Sequence, residues 1–408
     1  MKRKSLLALV VVFLSLATAA SRAIHTPSKP VATTAAVSIP FELVARHIVV
    51  QVKINNSRPL SFVFDTGDKV GIVDTERAKE LGLTLQGQIR VGGAGSDTLP
   101  GSFVQGATWT IPGLEGFSQP IALALPLGNL AKKFGHDFDG IIGSDFIRLF
   151  VVEVDYEKRV IKLHDKDKFS YSGPGEGIPI ELDRQGHPLL HAEVTPVSGS
   201  AIKGKFVLDL GSGAALALYS PFVSDNRLLG SGLKTIKSIG AGGAGGRTTG
   251  QIGRIAQLKI GRFKIVSPIT LFSEDKAGAF ASTALAGNIG QQIAGKFKVF
   301  LDYNRERVIF EPTANLNAPF DRAYGGFALN AEDKAYTTFR ITEVLEDSPA
   351  SEVGLQTNDL IIRVDDKPAS ELTLTRLNEM FERPVAYKLT IQRGGQTLQV
   401  TLTPKKLI

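Results

Sequence analysis

Residues 140–163 read GIIGSDFIRLFVVEVDYEKRVIKL, and residues 287–311 read GNIGQQIAGKFKVFLDYNRERVIFE. The two stretches align with one inserted residue. Gly140 and Gly143 fall on Gly287 and Gly290, Asp155-Tyr156 on Asp302-Tyr303, and Val160-Ile161 on Val308-Ile309. Upstream of each copy a second motif recurs, FVFDTG at 62–67 and FVLDLG at 206–211. Asp65 and Asp155 are 90 residues apart, and Asp209 and Asp302 are 93 apart. Two motifs returning in order at nearly equal spacing mark a tandem duplication.

Each half reads as β-rich. HIVVQVKIN (47–55) and LSFVFD (60–65) alternate or run apolar as half-buried strands do, and residues 55–59 read as the hairpin turn between them. TERAKELGL (75–83) predicts a short helix with Thr75 as a possible N-cap and Gly82 past its end. Glycine clusters follow at the same place in both halves, VGGAGSDTLPGS at 91–102 and IGAGGAGGRTTGQ at 239–251. SYSGPGEG (170–177) reads as the connector between the halves. Asp155 and Asp302 precede Tyr in strand–turn–strand patterns and read as turn formers. Asp65 and Asp209 differ from them. Each leaves an apolar strand onto a glycine turn, where burying a carboxylate is costly unless it is partnered.

Composition narrows the chemistry. The chain has no cysteine, which excludes a disulfide frame, a thiol nucleophile and a zinc–thiolate site. His25, His47, His136, His164, His187 and His191 form no metal-ligand spacing, and no G-x-S-x-G stretch marks a nucleophilic serine. Residues 1–23 combine Lys2, Arg3 and Lys4 with an apolar run from Leu6 to Leu16 and then small residues, the pattern of a secretory signal peptide. Its removal takes away those three cations and Arg22 but no acid, and lowers the net charge from +7 to +3. A balance so mild, without a basic stripe, does not argue for nucleic acid. The expectation is an exported chain, periplasmic or extracellular, with no stable membrane span after cleavage and with chemistry resting on carboxylates.

Asp65-Thr66-Gly67, a glycine-rich hairpin, then Gly140-Ile141-Ile142-Gly143, all in two copies, resembles the two-lobed aspartic peptidases. The short lobes are similar to the retroviral-protease-like members from bacteria. The resemblance covers roughly residues 37 to 313. It implies a mainly β fold of two duplicated retropepsin-like (pepsin-like) lobes, residues 37–169 and 178–316, after a linker at 24–36. It implies Asp65 and Asp209 as a catalytic dyad sharing one proton, supported by Thr66, Gly67, Leu210, Gly211 and Ser212, with no metal or organic cofactor. Ile141-Ile142-Gly143 would pack across the catalytic loop, and the glycine hairpins would be flaps over an extended peptide or protein substrate. Two carboxyl groups held together cannot both ionise readily, so one can act as base on water while the other acts as acid.

Three departures stand out. Leu210 takes the place of a Thr or Ser, so Thr66 must find other partners for its hydroxyl. Asp68 stands where a small residue is usual, and raises the pair's pKa values if it faces the site. Asn288 replaces the first apolar residue of the second Ile-Ile-Gly segment. These departures keep open an alternative, a catalytically impaired envelope protein that binds peptides as a scaffold.

The pattern changes after Pro319. FRITEVLEDSPASEVGLQTNDLIIRVDDKPASEL (339–372), TRLNEMFE (375–382) and the hairpin YKLTIQRGGQTLQVTLTP (387–404) resemble a PDZ domain. The resemblance implies an α+β domain at 320–408. A C-terminal peptide ligand would be held by its carboxylate at Gly325, Gly326 and Phe327.

Overall fold

The computed structural model describes residues 36–408 apart from 94, 96, 115–117, 122, 231 and 241. The signal peptide expected over 1–23, and nearly all of the linker expected over 24–36, lie outside the described residues.

Each copy of the duplicated motif builds the same unit. His47–Ile54 and Leu60–Phe64 form an antiparallel hairpin, and the chain later returns to lay Gly140–Ile142 parallel to Leu60–Phe64. In the second copy Gly287–Ile289 lies parallel to Ile202–Leu208 in the same register, Phe206 opposite Gly287 and Leu208 opposite Ile289. Strands covered on both faces must be apolar throughout. Phe62, Phe64, Phe206 and Leu208 meet that demand and are fully buried.

The two copies then meet. Val151–Asp155 pairs antiparallel with its own counterpart Phe297–Asp302, Glu153 opposite Phe300, which sets an approximate two-fold axis through the molecule. Val160–His164 and Arg307–Pro312 flank that pair. A single hydrophobic core runs from Ile39 to Phe310 through both copies, so the lobes share their packing. Asp155 and Asp302 close turns: Asp155 accepts from the Lys158 N–H at 3.0 Å, and Asp302 is bonded by Arg305 and Arg307.

Two local readings are corrected. The N-cap of Thr75–Glu80 is Asp74 and not Thr75, because Asp74 Oδ1 accepts from the N–H groups of both Glu76 and Arg77 at 3.0 Å. The strand Glu176–Leu182 begins inside the stretch read as connector, where Glu176 and Gly177 pair with Phe310 and Ile309.

The C-terminal domain has its own core around Phe339, Ile341, Leu374, Leu377 and Leu389. Its sheet runs in the order Phe327–Ala331, Phe339–Val344, Leu360–Val364, Tyr387–Arg393, Gln396–Leu402. Ser348 caps Pro349–Glu352 through a capping box, and Thr373 caps Leu374–Phe381. Gly394 and Gly395 both carry positive φ, 53° and 84°, as the two-residue hairpin turn requires. Among the described residues no helix is long and apolar enough to cross a membrane. The fold is mainly β.

Candidate active site

Parallel pairing brings Asp65 and Asp209 to equivalent strand ends. The Asp65 N–H donates to the Ile142 carbonyl at 3.0 Å, and the Asp209 N–H to the Ile289 carbonyl at 2.9 Å. The following glycine then turns its amide back onto the carboxylate: Gly67 N to Asp65 Oδ1 at 2.6 Å, Gly211 N to Asp209 Oδ1 at 2.9 Å. A Cβ built on Gly67 would lie 3.0 Å from Asp65 Oδ1 and 3.1 Å from Asp209 Oδ1, so those oxygens are at most 6.1 Å apart. One built on Gly211 would lie 2.0 Å from Asp65 Oδ2, across the lobe boundary. Glycine is demanded at Gly211 by this close approach, and at Gly67 the space for a Cβ is tight. The Ile-Ile-Gly segment does pack across this loop: Gly143 lies against Asp68 and Val70, and the Ser144 N–H donates to the Asp68 carbonyl at 2.8 Å. Ser212 plays the matching part in the other copy, its carbonyl accepting from Gln291 N at 2.8 Å.

Thr66 ties the lobes together. Its buried hydroxyl donates to the Leu208 carbonyl at 2.6 Å and accepts from the Leu210 N–H at 2.8 Å. Both partners are backbone groups, so the missing hydroxyl at Leu210 leaves Thr66 satisfied. Leu210 instead buries its side chain in the shared core. Its carbonyl accepts from Gln291 Nε2 at 2.5 Å, and Gln291 Oε1 accepts from the Tyr156 hydroxyl at 2.5 Å. Thr66→Val leaves a buried carbonyl and a buried N–H without partners. It should lower stability by about 3 kcal/mol, read as a drop in the urea midpoint at unchanged slope, while Thr66→Ser stays within about 1 kcal/mol.

Three carboxyl groups meet here, each half-buried. Burial, then Asp209, then Asp68 hold the Asp65 carboxyl well above the usual carboxylate range. Burial raises Asp209 as well, but the Asn288 amide, 2.8 Å from Asp209 Oδ2, and the Gly211 N–H favour its ionised form. Asp68 faces the site close to Asp65, and burial, then Asp209, push it up to about 6. The His187 imidazole, held by Asp183 at 2.9 Å, acts as a favourable neighbour of both Asp68 and Asp209. Asn288 entered the sequence reading as a departure without a role, and Gln291 and His187 did not enter it as site residues.

The raised Asp68 value fixes a sign. A carboxyl that titrates higher in the folded state contributes a penalty that grows as pH rises from about 4 through about 6. Asp68→Asn should therefore gain on the order of 2 kcal/mol of stability at pH 7 and almost none at pH 4. Denaturant melts at the two pH values check this, and equal effects at both would refute the buried, charged placement of Asp68.

The two glycine hairpins touch at their tips. The Gly95 N–H donates to the Ala244 carbonyl at 3.3 Å and the Asp97 N–H to the Gly245 carbonyl at 2.9 Å.

At the far end of the chain, Gly325, Gly326 and Phe327 lead into the edge strand of the C-terminal sheet. Gly326 has φ +84°, and a Cβ there would lie 2.2 Å from Ser348 Oγ. These residues line a cavity of about 110 Å³ with Tyr324, Leu345 and Phe381.

A duplicated β-body with paired aspartate turns, followed by a domain built on a six-stranded sheet with a glycine-loop groove, defines the class. Residues 50–146 match the family model described as aspartyl protease, and residues 315–392 match that of the PDZ domain. The chain thus carries an aspartyl protease domain followed by a PDZ domain. It is also similar to serine protease HTRA1 of Xenopus laevis, 31% identical over 67 residues, which are 16% of this chain and 14% of that protein. A match of that length reaches at most one of Asp65 and Asp209, and the chain spans only about 14% of that relative.

Proposed function

We propose that the chain is an aspartic endopeptidase in which Asp65 and Asp209 share one proton across the lobe interface. The observation that carries this reading is that Gly67 stands about 3 Å from an oxygen of each carboxylate, 3.0 Å from Asp65 and 3.1 Å from Asp209 for a Cβ at its position. Asp209, supported by Asn288, is the ionised member and removes the proton of an attacking water. Asp65 is the protonated member and donates toward the carbonyl oxygen of the scissile peptide bond. Protons then return to the leaving nitrogen and the pair is restored. Thr66 keeps the two loops in register, and the hairpins around residues 91–102 and 239–251 close over an extended substrate and exclude water. The PDZ domain binds peptides that end in a free carboxylate. The site of action is the cell envelope or beyond it, an assignment that rests on the leader pattern alone.

A second reading, a peptide-binding scaffold on an impaired protease body, is favoured by one observation, the third carboxyl group Asp68 against Asp65. Incubating the purified chain with a mixed peptide library between pH 3 and 7, with products read by mass spectrometry, separates the two. Cleavage that disappears in Asp65→Asn supports the endopeptidase. Wild-type protein that cuts nothing across that range supports the scaffold.

A further inference from the structure

The groove in which a PDZ domain takes a peptide lies between its edge strand, here Phe327–Ala331, and its second helix, here Leu374–Phe381. A peptide extends the sheet at that edge. In this chain the edge is already covered. Helix Gly128–Phe134 of the first lobe packs directly on Phe327–Ala331. The residue after it, Gly135, comes so near the second helix that a Cβ would lie 2.4 Å from Leu374 Cβ. Arg46 of the first lobe bonds both oxygens of Glu382 at 2.5 and 2.6 Å, at the end of the same helix, and the Ala45 N–H donates to Thr375 Oγ1 at 3.2 Å.

The second lobe closes the other end. Ile236, Lys237, Ile239 and Ile252 form one wall of the cavity whose opposite wall is Tyr324–Phe327, Leu345 and Phe381. Glu343, in the strand next to the edge strand, is paired with Arg247 and accepts from the Gly240 N–H at 3.3 Å. Gly240 and Arg247 flank the hairpin whose tip residues Ala244 and Gly245 hold the opposite flap. Glu343 therefore ties the PDZ sheet to both ends of the flap hairpin.

We infer that the PDZ groove is filled in cis by the protease body and that docking there clamps the flaps shut. A C-terminal peptide with a free carboxylate competes with Gly128–Phe134 for the groove, undocks the domain and frees the hairpin at 242–247. Partner chemistry follows from the cavity. The apolar side chains of Phe327, Leu345 and Phe381 suit an apolar last residue. Arg322 in the wall, its Nε without a partner, suits the terminal carboxylate. The tethering ion pairs Arg46–Glu382 and Arg247–Glu343 are half-exposed, the kind that contribute little each, so the docked state is reversible. Peptide affinity and flap opening are then linked, and whatever weakens docking strengthens peptide binding by the same factor. The consequence for turnover rests on the endopeptidase reading, whereas the competition for the groove does not.

The test uses hydrogen–deuterium exchange of the full chain carrying Asp65→Asn, so that no probe is cut. The probe is a pool of ten-residue peptides with apolar last residues and free carboxylates, compared with the same pool amidated. The carboxylate pool should raise exchange at least fivefold in both 128–134 and 242–247, and the amidated pool should not. Arg46→Ala combined with Arg247→Ala should raise exchange in both segments without peptide and tighten binding of the carboxylate pool at least fivefold. No response of 128–134 to the carboxylate pool, or protection of 327–331 with 128–134 unchanged, overturns the inference whatever the double variant does. Should exchange respond while the wild-type chain cleaves nothing, the endopeptidase reading fails and cis occupation of the groove stands.

Discussion

Asp209→Asn is expected to lower kcat/KM for peptide cleavage by roughly 10³-fold or more while raising the melting temperature at neutral pH. The first half follows from the role of the side chain. Asn has no ionisable oxygen, so the base that takes the water proton is gone, although its shape and the hydrogen bond from the Gly211 N–H can persist. The second half follows from the electrostatics. Burial raises the Asp209 carboxyl, so its ionised form is disfavoured in the folded state; the penalty builds as pH rises from the unfolded carboxylate range through the folded value and is full above it. Removing the charge removes the penalty at pH 7 and changes little at low pH. Asp65→Asn should give the same pair of outcomes, because Asp65 is raised further, with both Asp209 and Asp68 against it. Carrying both substitutions should cost no more activity than either alone, since the two groups act as a unit. Loss of activity coupled to a gain in stability is a signature that a merely structural aspartate does not give. Cleavage by Asp209→Asn within tenfold of wild type sinks the dyad.

What the sequence disclosed, and what it hid, divides along one line. The duplicated architecture was legible because the repeat is carried by side chains: Phe206 and Leu208 stand where Phe62 and Phe64 stand, and buried strands admit few alternatives. The PDZ domain was legible by resemblance, and the stretch TRLNEMFE read at 375–382 falls on its second helix, Leu374–Phe381. Where backbone groups do the work, the letters are silent. Thr66 finds its partners in a carbonyl and an N–H, which any residue at 208 and any non-proline at 210 would offer, so the substitution at Leu210 looked more damaging than it is. The cap of the first helix fell on Asp74 because two neighbouring residues could both accept, and only the chain's direction at the strand end chooses between them. Asn288 shows the intermediate case. The repeat marks it as anomalous against Ile141, but its meaning depends on the parallel register, opposite Val207, that turns its amide onto Asp209. The docking of the PDZ domain is least legible of all. Arg46, Arg247, Glu343 and Glu382 are scattered surface charges until the fold pairs them.

Gly211→Ala should cost at least about 10²-fold in kcat/KM although alanine suits the backbone there. Gly211 does not have positive φ, so the added methyl meets no conformational strain. What it meets is the other lobe's carboxylate: its Cβ would sit 2.0 Å from Asp65 Cγ, 2.0 Å from Oδ2 and 2.2 Å from Oδ1. To restore even a 3.0 Å contact, Asp65 must retreat by about 1.0 Å, which breaks its hydrogen bond from Gly67 or pulls the lobes apart at Thr66. The matching change Gly67→Ala is milder, because its Cβ would stand 3.0 Å from Asp65 and 3.1 Å from Asp209. It should cost less than about tenfold, since a few tenths of an ångström relieve it. The asymmetry is the sharper observable, for a two-fold dyad treated as ideal predicts equal effects. A double-mutant cycle isolates the cause: trimming the carboxylate with Asp65→Ala should cancel most of the stability loss of Gly211→Ala, a coupling of about 2 kcal/mol. Equal losses for the two glycines, or no coupling to Asp65, would mean that the carboxylates do not face each other across the turns.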